Sequence, residues 1–151
     1  MLISLLTLAL TLPLEPGVAL GASEQVNAPA LSRICESQTR RTLDPAELPL
    51  AQSSHVQIDC QGYAFLGAPR LAEFVFADGS LTHVWILVEA AELDALEAQF
   101  GAAYGPSDAS AEGFSAWFEA RAAVRKDMPE ALYYSVHAAP LFEAWFSGQG
   151  G

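Results

Sequence analysis

The chain has 151 residues, of which 52% are hydrophobic, 10% aromatic and 17% charged. This length and composition predict one domain with its own core and exclude a largely disordered protein. The formal net charge is −11, and the cationic side chains are adjacent in sequence only at Arg40-Arg41 and Arg125-Lys126. Because phosphate groups are bound by basic patches, we expect no nucleic acid and no anionic membrane surface among the partners.

The first segment of the chain predicts export. Residues 2–14 form an apolar run that is too short for an ordinary membrane span and has the length of a secretory h-region. Small residues at 19–22 favour cleavage there, which gives a signal peptide over 1–22 and a mature form without a transmembrane span. No twin arginine precedes the run, so we expect the general secretory route to the periplasm or the extracellular space. Because no Lys or Arg precedes the run, an uncleaved apolar tail or a wrongly assigned start codon is the alternative.

The two cysteines, Cys35 and Cys60, predict a structural disulfide. An exported protein with a small even number of cysteines usually oxidises them. Closing the loop between them would stabilise the fold by about 3 kcal/mol in the chain-entropy model. Redox or metal chemistry would need a Cys-x-x-Cys spacing or histidines at ligand spacing, and the sequence has neither.

The N-terminal half predicts a short helix followed by a strand. Residues 23–30 are small and polar, which predicts a flexible lead-in. Apolar residues at helical spacing predict a short helix within 31–41, and Asp44 followed by Pro45 predicts one further turn. Residues 54–67 alternate between apolar and polar side chains, which is typical of a half-buried strand.

A β-hairpin is the clearest local prediction. Residues 70–77 and 81–88 are largely apolar, and Asp78-Gly79 lies between them. Asp-Gly is a favoured two-residue hairpin connection because both central residues tolerate positive φ.

The main helix is predicted at about 90–104, where apolar residues recur at helical spacing before Gly105 and Pro106. The remaining predicted elements are strands over 114–119 and from about 122 (or one long bent strand), a strand over 131–138, a short closing helix after Pro140 and a disordered tail over 148–151.

Strands joined by short turns around one main helix predict an α+β domain over residues 31–147. We expect its sheet to be largely antiparallel, with about five strands. The main helix should pack on the apolar face of that sheet, and short N-terminal and C-terminal helices complete the domain.

The sequence carries no motif for catalysis, metal binding or cofactor binding. It has no Gly-x-Ser-x-Gly elbow, no Ser-x-x-Lys and no glycine-rich phosphate loop. His55, His83 and His137 have no second histidine at helical or strand spacing, so we predict no metal site and no cofactor. Asp59 and Glu73 lie on predicted strands, either as sheet-surface residues or as ligands, and the sequence does not separate these two roles.

The aromatic residues indicate a possible binding face. Neighbouring residues of a strand point to opposite faces, so either Tyr133 or Tyr134 must leave the core side. The same alternation places His83 on the side of Leu81 and Trp85. Such a face is covered by helices of the same chain or by a partner, and the first is favoured because exposed apolar patches are uncommon in monomers. The residues of this possible binding face are His83, Trp85, Tyr133, Tyr134 and His137.

Together these features favour a small exported, disulfide-bonded domain that acts by binding rather than by catalysis. Its target would be an envelope protein, a peptide or a small apolar ligand. A small exported hydrolase with a carboxylate–histidine pair assembled by the fold around His83 or His137 is the alternative. A structural module that assembles with itself or with the envelope is the third hypothesis.

Overall fold

In the computed structural model, which describes residues 14–148, the chain forms an eight-stranded antiparallel sheet and three α-helices. The helices are α1 (Glu24–Ile34), α2 (Leu93–Tyr104) and α3 (Ala139–Phe146). The strands are β1 (Ser37–Leu43), β2 (His55–Phe65), β3 (Ala68–Ala77), β4 (Ser80–Leu87), β5 (Ala109–Ser110), β6 (Phe114–Trp117), β7 (Ala122–Arg125) and β8 (Glu130–Tyr134). Their order in the sheet is β1-β2-β3-β4-β8-β7-β6-β5. The predicted α+β class and antiparallel sheet are confirmed, with eight strands in place of about five.

The hairpin of β3 and β4 is confirmed. Asp78 and Gly79 have φ of 53° and 84°, the left-handed conformation that this short turn requires. The Asp78 carboxylate also accepts hydrogen bonds from the backbone N–H groups of residues 52–54, and these bonds lower its pKa to about 2. The turn therefore anchors the loop that leads into β2.

The main helix is also confirmed. A turn of 3-10 helix at Ala90–Glu92 leads into α2, so that residues 90–104 are helical throughout. Leu96 and Phe100 of α2 are fully buried, and Gly105 ends the helix with φ of 86°.

The sheet has two faces with separate apolar cores. On the first face, helices α1 and α2 contribute to a core that includes Phe74, Phe100 and Tyr133. On the second face, Tyr134 packs with Phe142 of α3. Tyr133 and Tyr134 therefore point to opposite faces, as the alternation predicts, and helices of the same chain cover both of them.

The disulfide between Cys35 and Cys60 is present, with a Cα–Cα distance of 5.2 Å. It joins the residue that follows α1 to the middle of β2. Cys60 is fully buried in the first-face core, so the bridge links the helix to the sheet from within.

Helix α1 and strand β1 differ from the predictions. Helix α1 begins at Glu24, with Ser23 as its N-cap, so residues 24–30 are helical rather than a flexible lead-in. The helix predicted over 31–41 ends at Ile34, and the second half of that segment is β1. Strand β1 lacks apolar alternation because it lies at the sheet edge with nearly all of its side chains exposed.

The later strands also correct two predictions. Strand β8 ends at Tyr134, so His137 lies in the exposed turn before α3 rather than on a strand. An irregularity in the β3–β4 register places Leu81 in the first-face core, whereas His83 points to the second face beside Trp85. The open question at 114–125 is answered by two strands, because Arg121 adopts φ of 50° in a turn between them.

Residues 14–22 pack against the first face. Leu14, Val18 and Leu20 contact its core, and the Gly21 N–H donates to the Leu81 carbonyl at 2.8 Å. The rest of the predicted signal peptide and residues 149–151 of the predicted tail lie outside the described residues. Among residues 14–148, no helix has the length and apolarity that a bilayer crossing requires.

Candidate functional site

Helix α3 covers only part of the second face, and the uncovered part holds a groove of about 270 Å³. We call it the polar groove. It lies across strands β2, β3, β4 and β8, with the β7–β8 turn at one side. Its polar and aromatic lining consists of His55, Gln57, Glu73, His83, Trp85, Arg125 and Glu130.

The strand register brings these side chains together from distant parts of the sequence. Glu73 pairs with Trp85 across β3 and β4, so both point to the second face. Arg125 pairs with Glu130 across β7 and β8 in the same way. Gln57 lies two strands from His83 in one row across the sheet, with Val75 between them.

Glu130 is the most unusual group in the groove. Its side chain is only 3% exposed, and the Arg125 guanidinium donates to its Oε1 at 3.2 Å. Burial, with a smaller contribution from the negative charges of Glu73 and Asp127, raises the pKa of Glu130 to about 7 in spite of Arg125. The protonation state of Glu130 therefore changes near neutral pH.

Glu73 forms the opposite wall. Gln57 Nε2 donates to its Oε2 at 2.7 Å and to Asp59 Oδ1 at 2.8 Å. Burial raises the pKa of the Glu73 carboxyl, and the neighbouring Asp59 charge acts in the same direction. Two carboxyl groups thus face one groove, and each is less acidic than in water.

Arg125 is held at the edge of the groove between two tryptophans. Its guanidinium carbon lies 5.8 Å from the ring centroid of Trp85 and 5.6 Å from that of Trp145. Its Nε donates to Asp127 Oδ1 at 3.0 Å, while Nη1 donates to Glu130. The cation is therefore shared between two carboxylates and two aromatic rings.

His83 is buried, with 4% of its surface exposed, and its ring packs edge-on against Phe142 with centroids 5.0 Å apart. Its Nδ1 lies 2.9 Å from Thr82 Oγ1, and the Thr82 hydroxyl donates to the Val75 carbonyl. A hydroxyl has one proton, so when Thr82 donates it to the Val75 carbonyl, Nδ1 is the donor to Thr82 and the lone pair lies on Nε2. Burial, together with the charge of His55, lowers the pKa of His83 to about 3, so the imidazole is neutral at neutral pH.

The structure brings three of the five predicted binding-face residues together. His83, Trp85 and Tyr134 share the second face, where Tyr134 is buried beneath α3 and the other two line the groove. Tyr133 lies in the first-face core with its ring centroid 5.8 Å from that of Phe100, and His137 lies in an exposed turn.

The sequence does not identify His55, Gln57, Arg125 and Glu130 as groove residues. For Glu73, the sequence leaves open whether it is a sheet-surface residue or a ligand. Only the strand register reveals this arrangement. Glu130 pairs with Leu87, and Leu87 lies on the same face as Trp85, so Glu130 shares the face of Trp85. Within residues 14–148, no set of three His, Cys, Asp or Glu side chains has the arrangement that holds a metal ion.

Comparison with protein-family models, with curated proteins and with solved structures finds no match to this chain. Its role must therefore be inferred from its own residues.

The raised pKa of Glu130 predicts how stability depends on pH. The unfolded carboxyl ionises near 4.5 and the folded one near 7, so the folded state retains a proton that the unfolded state has lost. The free energy of unfolding should therefore fall as pH rises from 5 to 8. Glu130→Gln should reduce this fall by roughly 2 kcal/mol, as measured by urea unfolding at both pH values.

The matched control is Glu119→Gln, which changes an exposed carboxyl in the β6–β7 turn, outside the groove. It should reproduce the wild-type pH dependence. Parallel stability curves for wild type and Glu130→Gln would show that Glu130 ionises normally in the folded domain.

Proposed function

We propose that this chain is an exported, disulfide-stabilised domain that binds a ligand in the polar groove. The observation that supports this most directly is Glu130, a carboxyl almost fully buried in the groove wall, to which Arg125 alone donates among residues 14–148. A buried ion pair contributes little to stability compared with apolar residues of similar volume. Titratable groups with strongly shifted pKa values in a concave site are typical of function.

The disulfide supports the exported location. Such bridges persist in oxidising compartments and are rare in the cytosol, so Cys35–Cys60 is consistent with the periplasm or the extracellular space. The apolar run at residues 2–14 supports the general secretory route.

The edge of the groove supports recognition of a protein, a peptide or a small molecule. Trp85 is half-buried in its wall, and Met128 is 53% exposed at its margin. Aromatic residues, methionine and arginine are enriched where proteins contact partners. The acidic charge of the chain and the carboxylates of the groove argue against nucleic acid as the ligand.

A hydrolase is the second candidate, because His83, Glu73 and Glu130 line one groove although they come from three different strands. Two features weigh against it. A histidine with a pKa of about 3 is a poor general base at neutral pH, since efficient bases have a pKa near the working pH. No serine, threonine or cysteine side chain lines the groove among the described residues, so an attacking nucleophile would have to be water.

The proposal predicts that changes within the groove abolish binding while changes elsewhere do not. Glu73→Arg places a long cation at a half-buried position, where it should fill the groove without disturbing the sheet. Immobilised wild type and Glu119→Arg should retain the same ligand from the exported fraction, and Glu73→Arg should retain at least tenfold less. Mass spectrometry of the eluates, covering proteins and small molecules, provides the measurement.

Equal retention by all three proteins would place binding elsewhere on the surface and contradict the proposal. Turnover of ester, peptide or glycoside substrates that disappears in Glu130→Gln would favour the hydrolase instead.

A further inference from the structure

Building on the proposed function, we infer that the ligand of the polar groove presents a primary ammonium group on a short apolar stem. A lysine side chain and an aliphatic amine both have this chemistry. The hydrogen-bonding capacity, the charge and the shape of the groove all favour this group.

The groove contains more acceptors than donors. Gln57 uses Nε2 on both Asp59 and Glu73, so this amide has no proton left for another partner. Glu73 Oε1 receives no hydrogen bond from any residue within 14–148. Glu130 likewise has a donor on Oε1 alone, from Arg125.

His83 adds a third acceptor by an independent route. Its ring is more than nine-tenths buried and lines the groove, and its Nδ1 lies 2.9 Å from Thr82 Oγ1. No described side chain or backbone group bonds its Nε2, and in the tautomer with the proton on Nδ1 this atom has a lone pair free for a donor. An ammonium group has three N–H donors and no acceptor, which matches three such atoms.

The charge of the groove favours the same ligand. Glu73 and Glu130 face it from β3 and β8, while Arg125 of β7 already donates to Asp127 as well as to Glu130. His55 of β2 also lines the groove, and its Nδ1 lies 3.4 Å from the Asp44 carbonyl. The cation of Arg41 on β1 is engaged by Asp59 at 2.9 Å. A positive ligand would restore the balance at a partly buried site, where charges are weakly screened.

The shape fits a small group with an apolar stem. A volume of about 270 Å³ is below the range of most drug-sized ligand pockets, which suits a single side chain. Leu48, Val75 and Met128 supply apolar wall, and the Trp85 ring can contact both the stem and the cation.

The same groups predict that binding strengthens with pH. Glu130 is faced by Arg125, Asp127 and Glu73, and its ionisation near neutral pH adds a negative charge beside the ligand. An ammonium stabilises the ionised carboxylates, so the affinity should rise between pH 5 and pH 8.

The test is a titration of the 15N-labelled protein with Nα-acetyl-lysine methylamide, followed by the NMR signal of the Trp85 indole N–H. Trp85→Phe assigns that signal among the three tryptophans of the chain. We expect a saturable shift at pH 8 and at least tenfold weaker binding at pH 5. Glu73→Gln and Glu130→Gln should each weaken binding at least tenfold at pH 8, and Glu119→Gln should leave it unchanged.

Matched probes define the chemistry. Nα-acetyl-norleucine methylamide has nearly the same stem without the charge, and it should not shift the signal at the concentrations that saturate the lysine probe. n-Pentylamine distinguishes an aliphatic amine from a lysine side chain as the ligand. An affinity equal to that of the lysine probe indicates that a free amine suffices, and weaker binding indicates that a peptide backbone contributes.

Equal binding of the norleucine probe, or preferential binding of the Nα-acetyl-glutamate analogue, would overturn the ammonium inference and leave the groove as a binding site. If no probe moves the Trp85 signal while capture still depends on Glu73, only the ammonium inference fails. If capture is also independent of Glu73, the proposed function fails with it.

Discussion

A chain that begins at Ser23 should be less stable than a chain that begins at Leu14 by roughly 4 kcal/mol in the free energy of unfolding. The expectation arises because residues 14–22 are part of the folded domain. Leu14, Val18 and Leu20 pack against the first-face core, and burying apolar side chains to this extent contributes on the order of 1 kcal/mol each.

The buried amide of Asn27 supplies the rest of the effect. Asn27 is fully buried in α1, where it accepts from the Ala19 N–H at 2.8 Å and donates to the Ala19 carbonyl at 3.1 Å. Gly21 and Ala22 also exchange backbone hydrogen bonds with Leu81. Removing residues 14–22 leaves a buried polar side chain without most of its partners, which costs about 1–3 kcal/mol.

Urea unfolding of the two truncated chains, followed by circular dichroism, measures the difference. Asn27→Ala in the chain that begins at Leu14 should reproduce the part of the stability loss that comes from the hydrogen bonds of Asn27. Equal stability of the two truncated chains would show that residues 14–22 are dispensable, and cleavage at 19–22 would then carry no cost.

The result bears on the predicted signal peptide. Cleavage at 19–22 would remove residues that contact the core, so we expect mass spectrometry of the mature protein to find an N-terminus at or before Leu14. A mature chain that starts within 19–23 would support the cleavage position predicted from the small residues.

The elements that the sequence predicts well are those determined by local signals. The Asp78-Gly79 turn and the helical spacing over 90–104 each depend on residues that are close in sequence. Strand β1 has no such signal, since SQTRRTL is an exposed edge strand that forms by pairing with β2. Helix α1 was predicted too late in the chain because the small residues around Pro29 weaken its apolar pattern.

The polar groove could not be predicted because it depends on long-range register. Glu73 and Trp85 are twelve positions apart in the printed sequence, whereas Gln57, Arg125 and Glu130 join them only through the order of five strands. The register irregularity near Val75 also places Leu81 and His83 on opposite faces, whereas simple alternation predicts the same face for both. A residue such as Glu130 shows its burial only once these pairings are known.

The second large effect concerns the disulfide. Cys35→Ala with Cys60→Ala should lower the free energy of unfolding by about 3 kcal/mol, because the open chain regains the entropy of an unclosed loop. Alanine is the appropriate replacement, since Cys60 is fully buried and a serine hydroxyl there would add a desolvation cost. Reduced wild type should match the double variant in urea unfolding, and the reductant should not affect the variant.

Strand β1 should be the first part of the sheet to lose stability when the disulfide is removed. It lies between the two bridged cysteines at the edge of the sheet, and its exposed side chains add little apolar burial of their own. Hydrogen exchange should therefore show β1 amides losing protection in the double variant while the amides of β3 and β4 remain protected. Uniform loss across the sheet would mean that the bridge acts only on the unfolded chain.

Reduction of the disulfide should also affect the polar groove, through strand β1. Arg41 of β1 binds Asp59 at 2.9 Å, and Gln57 beside it donates to both Asp59 and Glu73. If β1 detaches, Asp59 loses the neighbouring Arg41 cation. The negative charge of Asp59 should then raise the pKa of Glu73 further. We therefore expect reduction to shift the NMR signals of the Gln57 side chain and the Trp85 indole before global unfolding, and unchanged signals would show that the groove is independent of the bridge.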